Sequence, residues 1–174
     1  MKNQNINDKP CLVAKSDYHD CHLKRTRLVW FVDSLCAVLL VGCTIWVACR
    51  YGALPDRIPV HYGADGIIDG YGSKSTIWMP IAIMWTVIGF LSAVELFPKH
   101  WNTVVKITKE NHVRVLSLTW HLLSTTKLVL SCMFAYIVVM CVSGMNLSVL
   151  FLPILFTVLG ANFLYWIVRL ILNR

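Results

Sequence analysis

The feature that most constrains this chain is a pair of long apolar runs with a proline- and glycine-rich break between them. Leu28 to Cys49 is 22 residues with one charge, Asp33, and Ile77 to Phe97 is 21 residues with one charge, Glu95. Each is long enough to cross a hydrocarbon core, which takes roughly 20 helical residues. Two more runs, Leu122 to Val142 and Leu147 to Leu170, are separated by Ser143, Gly144, Met145 and Asn146, a spacing that suits a tight helical hairpin. The expected fold is an all-α integral membrane protein. Residues 28–174 form a four-helix membrane domain with spans at about 28–49, 77–97, 122–142 and 147–170. A short extracytoplasmic loop of extended and turn structure, 50–76, joins spans one and two. Residues 98–121 are a cytoplasmic interfacial segment, and residues 1–27 a flexible cytoplasmic tail. The composition agrees: the chain is 57% hydrophobic and 14% charged, where soluble domains are about 45–50% apolar.

The net charge of +7 would suggest a nucleic-acid partner in a soluble protein, but its distribution points to topology instead. The tail carries Lys2, Lys9, Lys15, Lys24, Arg25 and Arg27; the segment after the second run carries Lys99, Lys106, Lys109, Arg114 and Lys127; Arg169 and Arg174 close the chain. These thirteen cations fall on one side, whereas the connector 50–76 holds three, offset by Asp56, Asp65 and Asp69. By the positive-inside rule both termini are cytoplasmic. The basic residues then set topology and meet anionic lipid, and no nucleic-acid partner is expected.

Seven cysteines are present, most within spans, none in the external loop and none in a CxxC pair, so they read as small apolar packers. Leu40-Val41-Gly42-Cys43 resembles a lipobox, yet the apolar run continues past Cys43 through Ala48, longer than a signal core. Asp17, His19, Asp20, Cys21 and His22 have metal-ligating side chains but sit in a polar tail without a framework.

The break itself runs Leu54-Pro55-Asp56-Arg57-Ile58-Pro59-Val60-His61-Tyr62-Gly63-Ala64-Asp65-Gly66-Ile67-Ile68-Asp69-Gly70-Tyr71-Gly72-Ser73-Lys74. Its prolines and glycines exclude a continuous helix. Ile58 to Tyr62 favours extended backbone and Asp65-Gly66 a tight turn, so two short strands or arms folded onto the membrane surface are expected, with Ser73 or Ser75 capping the second span. His100 to about His121 reads as an interfacial helix with a partial apolar stripe of Val104, Ile107, Val113 and Leu116. His121, Thr125 and Ser131 continue at helical spacing toward neighbouring helices. Lys127 is expected to snorkel to the cytoplasmic surface, Glu95 to pair near Lys99 and His100, and Asp33 to pair with the Arg25 to Arg27 cluster. In the fourth span Pro153 allows a kink and Asn162 an interhelical hydrogen bond.

The loop, with Leu54-Pro55 and Ile58-Pro59-x-His61 followed by Gly66, Asp69, Gly70, Tyr71, Gly72, Ser73 and Lys74, resembles the signature of an uncharacterised bacterial membrane domain. That domain stands at the N-terminus of SdpI-type toxin-immunity proteins and also occurs as small stand-alone proteins. Trp101-Asn102, Val105 to Thr108 and Asn111 are similar to the cytoplasmic segment of the stand-alone members, so the resemblance covers roughly residues 30–142. Two positions depart from it: Gly63 follows Tyr62 where the family commonly has asparagine, and Val104 replaces a common proline. The second membrane domain of SdpI-type proteins is not in this sequence, so immunity does not transfer with the resemblance alone.

The resemblance implies a bacterial inner-membrane location. It singles out Leu54, Pro55, Ile58, Pro59, Gly66, Gly70 and Gly72 as a structural motif, and Asn102, Lys106, Thr108 and Asn111 as a cytoplasmic one. His61, Asp65, Asp69 and Lys74 are the candidate ligand-binding residues: a histidine and two carboxylates suit a divalent cation or a cationic peptide, and equally serve as turn caps with Lys74 at the headgroups. Whether a metal binds is left open. No catalytic pair and no phosphate loop is found, so neither catalysis nor a cofactor is expected. The leading expectation is an envelope sensor or immunity-type protein that meets an envelope peptide or toxin outside and a protein partner in the cytoplasm. The alternatives are a transporter subunit or membrane enzyme using Asp33, Glu95, His121 and Lys127, and a structural or assembly protein with no ligand.

Overall fold

The structure is a computed structural model and describes residues 25–108 and 110–173. The tail and its Asp17 to His22 cluster lie outside the described residues.

Helix α1, Arg27–Arg50, starts where Thr26 turns to extended backbone and its hydroxyl accepts from the amide of Val29. This is the usual way a helix satisfies one of its free N–H groups. Beyond a 3₁₀ turn at Tyr51–Ala53, strands β1, Arg57–Tyr62, and β2, Ile68–Ser73, pair antiparallel. Ser73 caps a second 3₁₀ turn, Lys74–Ile77, that leads into α2, Trp78–Glu95. After α3, His112–Ser143, and a short connection, α4, Phe151–Leu172, completes the described chain. These four helices are long and apolar enough to cross a membrane. This is a multi-pass membrane protein whose first two spans are joined by a β-hairpin.

The helices are apolar nearly all round, as expected where lipid replaces water as the outer solvent. Phe31, Phe90, Phe156 and Leu164 are each more than three-fifths exposed. α3 is the central element, packing on α1, α2 and α4. Its 32 residues amount to about 48 Å, longer than one bilayer core, and it is packed toward both ends: Leu116 is buried with Val29 and Trp101, and Val138 and Cys141 with the apolar residues of the loop. Pro153 lies in the first turn of α4 because that helix begins at Phe151. Its missing N–H would have had no helical partner there, so it starts the helix instead of kinking it. Asn162 does make its interhelical bond, to Thr126 Oγ1 at 3.0 Å.

The segment after α2 differs from the expected interfacial helix. α2 ends at Glu95 with Leu96 as its cap, and Phe97, held out of helical geometry by the proline after it, keeps it from resuming. Residues 101–108 are non-helical, and regular helix resumes only at His112. Two contacts explain this. Trp101 is buried, donates to the carbonyl of Val94 at 2.7 Å and meets Trp120 edge-on. Thr108 and Asn111 form a reciprocal box, the amide of Thr108 donating to Asn111 Oδ1 at 2.8 Å and that of Asn111 to Thr108 Oγ1 at 3.3 Å. Such a box starts a helix at a defined residue.

Candidate functional site

The hairpin is held to the bundle by its apolar residues. Leu54 and Ile58 are buried in one cluster with Val47, Ile77, Ile81, Val138 and Cys141, which joins the loop to α1, α2 and α3. Pro59, also buried, lies beside a bulge at Val60, a place where a strand tolerates a residue without an N–H. Pro55 follows the 3₁₀ turn and is exposed. At the tip, Gly66 has φ +82° and its carbonyl accepts from the amide of Leu147 at 2.9 Å. A Cβ at Gly66 would lie 2.5 Å from the Leu147 carbonyl oxygen, so both the backbone conformation and the contact require glycine. Asn146 Oδ1 accepts from the amide of Ile68 at 2.9 Å, a second tie between the α3–α4 connection and the hairpin. Tyr62 hydroxyl donates to Cys141 Sγ at 3.6 Å; burial first, then this contact, pushes the phenol above its ordinary pKa, so it remains a donor.

Of the candidate ligand residues, the hairpin brings two together. His61 Nδ1 donates to Asp69 Oδ1 at 2.5 Å, with the side chains 72% and 51% exposed. Gly70 and Gly72 leave room on the opposite strand, since a Cβ there would meet the His61 Cβ at 3.0 Å and Val60 Cγ1 at 2.9 Å. The other two candidates make their own contacts. Asp65 accepts from the amide of Ile67 at 3.1 Å and shapes the turn, while Lys74 pairs with Asp56 at 3.0 Å. Among the described residues no group of three or more His, Cys, Asp or Glu is placed to hold a metal.

The interfacial motif also divides. Thr108 and Asn111 build the box before α3, with Asn111 Nδ2 donating to the Lys106 carbonyl at 3.2 Å. Lys106, Thr108 and Asn111 line a groove shared with Arg114 and Asn173, whereas Asn102 lines a separate crevice beside Trp101.

The most concentrated chemistry lies inside the bundle. Lys127 Nζ donates to Asp33 Oδ1 at 2.7 Å and to Glu95 Oε2 at 2.8 Å, with Ser92 Oγ at 3.4 Å. The other Glu95 oxygen accepts from Ser124 Oγ at 3.1 Å, and Arg25 reaches the other Asp33 oxygen at 3.4 Å. Lys127 and Glu95 are 2% and 1% exposed. Three helices are thus pinned at one level by one ammonium. This corrects two expectations: Lys127 turns inward to the two carboxylates instead of snorkelling, and Glu95 turns both oxygens into the bundle instead of pairing at the boundary. Asp33 does meet Arg25, but its shorter contact is to Lys127. One sequence signal pointed this way. Three spans each carry a lone charge, of mixed sign, within about two helical turns of the same boundary, and carbon tails offer a buried charge no other partner. Nearby, His121 bonds Thr26 Oγ1 at 2.9 Å and stacks on Trp166, while Trp166 donates to Thr125 at 3.0 Å, so the polar line on α3 does face its neighbours.

No curated protein matches this chain, and no solved structure matches it. A family match does exist, and its limits fall between the two polar sites: it takes in the hairpin with His61 and Asp69 and leaves out Asp33, Glu95 and Lys127. Residues 38–85, from the middle of α1 through the hairpin into α2, match the family described as Domain of unknown function (DUF1648), consistent with the uncharacterised domain that the loop motif resembles.

Proposed function

We propose that this is a non-catalytic membrane protein of the bacterial inner membrane, a sensor or immunity-type protein whose hairpin receives a peptide or toxin from the envelope. The supporting observation is the way the hairpin is mounted. Its apolar residues are tied to α1, α2 and α3 and its tip to the α3–α4 connection, while the His61–Asp69 pair is left exposed on it. A ligand that grips this pair therefore pulls on the central helix. The Asp69 carboxylate suits a cationic peptide, and the His61 ring beside it offers a second polar contact. In this reading the hairpin is extracytoplasmic and the termini cytoplasmic, as the placement of the basic residues favours. The groove at Lys106, Thr108 and Asn111 is then the surface offered to a cytoplasmic partner.

The test is survival of cells making the protein when challenged with a synthetic cationic membrane-active peptide. Wild type is expected to protect, and His61→Ala and Asp69→Asn to lose protection at unchanged protein level. No protection by wild type, or full protection by both variants, refutes the reading and favours a hairpin that only plugs the bundle. A second reading, a transporter subunit, draws on the charged cluster shared by α1, α2 and α3. It requires ion flux in proteoliposomes that is lost in Lys127→Met.

A further inference from the structure

The buried cluster is balanced in charge: Asp33 and Glu95 against Lys127 and Arg25. Its surroundings contribute little else that ionises. α1 adds Cys36, buried near Ser131 of α3; α2 adds the Ser92 hydroxyl; α3 adds Ser124. His121 is turned to Thr26 and Trp166, and on α4 Asn162 and Trp166 bond threonines of α3 while Arg169 lies over Tyr165. A buried ion network is about neutral for stability against apolar side chains of equal volume, so packing alone does not account for placing four charges here.

The four groups are not held equally. Lys127 is 2% exposed with contacts of 2.7 and 2.8 Å, whereas Arg25 is 27% exposed with one carboxylate contact at 3.4 Å. Arg25 also sits 5.2 Å from the ring centre of Trp30 and 5.3 Å from that of Trp120, closing the cluster on the side where α1 begins. Glu95 is the carboxylate with a single cationic partner and almost no exposure.

We propose that Glu95 is a proton-binding site whose occupancy controls whether Arg25 is docked. A proton from solvent forms an O–H bond on Glu95, which then donates to Ser124 Oγ, 3.1 Å away. The cluster is left with one excess positive charge in a medium that screens it poorly. The longest and most exposed contact yields first, so Arg25 leaves Asp33 and the two tryptophans while Lys127 stays on Asp33. Proton uptake inside the bundle thereby loosens the start of α1. This inference holds whichever reading of the hairpin is correct.

Infrared difference spectra of the full chain in nanodiscs, taken between about pH 4 and pH 9, test it directly. Wild type is expected to gain, on acidification, the carbonyl band of a protonated carboxyl shielded from rapid deuterium exchange. Glu95→Gln is expected to lose that band and Asp69→Asn to keep it. Arg25→Gln, which removes the docked side chain and leaves Glu95 in place, is expected to keep the band. A bimane label on Leu28→Cys, in a version lacking the native cysteines, should report release of α1, with the docked-to-released ratio changing by about tenfold per pH unit for one proton. Absence of a shielded carboxyl band in wild type refutes the proposal without relying on any variant. So does a band that survives Glu95→Gln, or a label that ignores the titration.

Discussion

The His61–Asp69 pair on the hairpin and the Lys127–Glu95 pair in the bundle are both a nitrogen donor against a carboxylate, at 2.5 and 2.8 Å. Their surroundings make them different devices. The hairpin pair is half or more exposed, so water screens it and a ligand can compete for either partner; the bundle pair is 1–2% exposed, and losing one partner strands the other. Distance alone therefore says little about what a pair is for, and the medium around it decides. The family match divides the molecule along the same line, covering the hairpin and leaving the buried cluster outside residues 38–85.

The largest expected effect breaks the buried side of the comparison. Lys127→Met leaves Asp33 and Glu95 without their shared cation and should cost about 3–5 kcal/mol, read as thermal unfolding in detergent. The triple variant Asp33→Asn, Glu95→Gln, Lys127→Met should recover most of that loss; equal losses in the two would mean the three do not act as one network. Next is the apolar anchor of the hairpin: Ile58→Ala, at a residue 2% exposed, should cost about 2–4 kcal/mol through the cavity it leaves. Gly66→Ala forces a Cβ toward the Leu147 carbonyl at a positive φ and should cost about 1–3 kcal/mol, with faster amide exchange at Leu147 and Ile68. The smallest effect belongs to the exposed pair. His61→Ala or Asp69→Asn should change stability by about 0–1 kcal/mol, so any loss of protection in those variants reports on binding and not on folding.

Much of this was legible in the sequence. Apolar runs of about 20 residues state their own structure, because a chain in hydrocarbon has to satisfy its backbone internally. The hairpin was legible too, from prolines, glycines and Asp65-Gly66 between two runs. Contacts distant in sequence were less so. Lys127 near the start of a span has the same local pattern whether it reaches out to headgroups or in to Asp33, 94 residues away; only helix packing chooses. His61 and Asp69 are eight residues apart in the loop, but the bulges that set their register are not visible in the residue types. The 101–108 segment reads as a helix because its apolar spacing is helical, and Trp101 overrides that spacing with a tertiary anchor. Lys127 also has to leave the tally of interfacial cations, but twelve of the thirteen remain and the inferred orientation is unchanged.

That orientation carries the account, since a receiving hairpin has to face outward while the interfacial motif faces the cell interior. The most direct measurement is labelling of intact cells with a membrane-impermeant maleimide, using single cysteines at Ser73, exposed at the end of β2, and at Val104, 67% exposed beyond α2, in a version lacking the native cysteines. The account predicts labelling at 73 and none at 104 until the cells are opened; labelling at 104 in intact cells would contradict it.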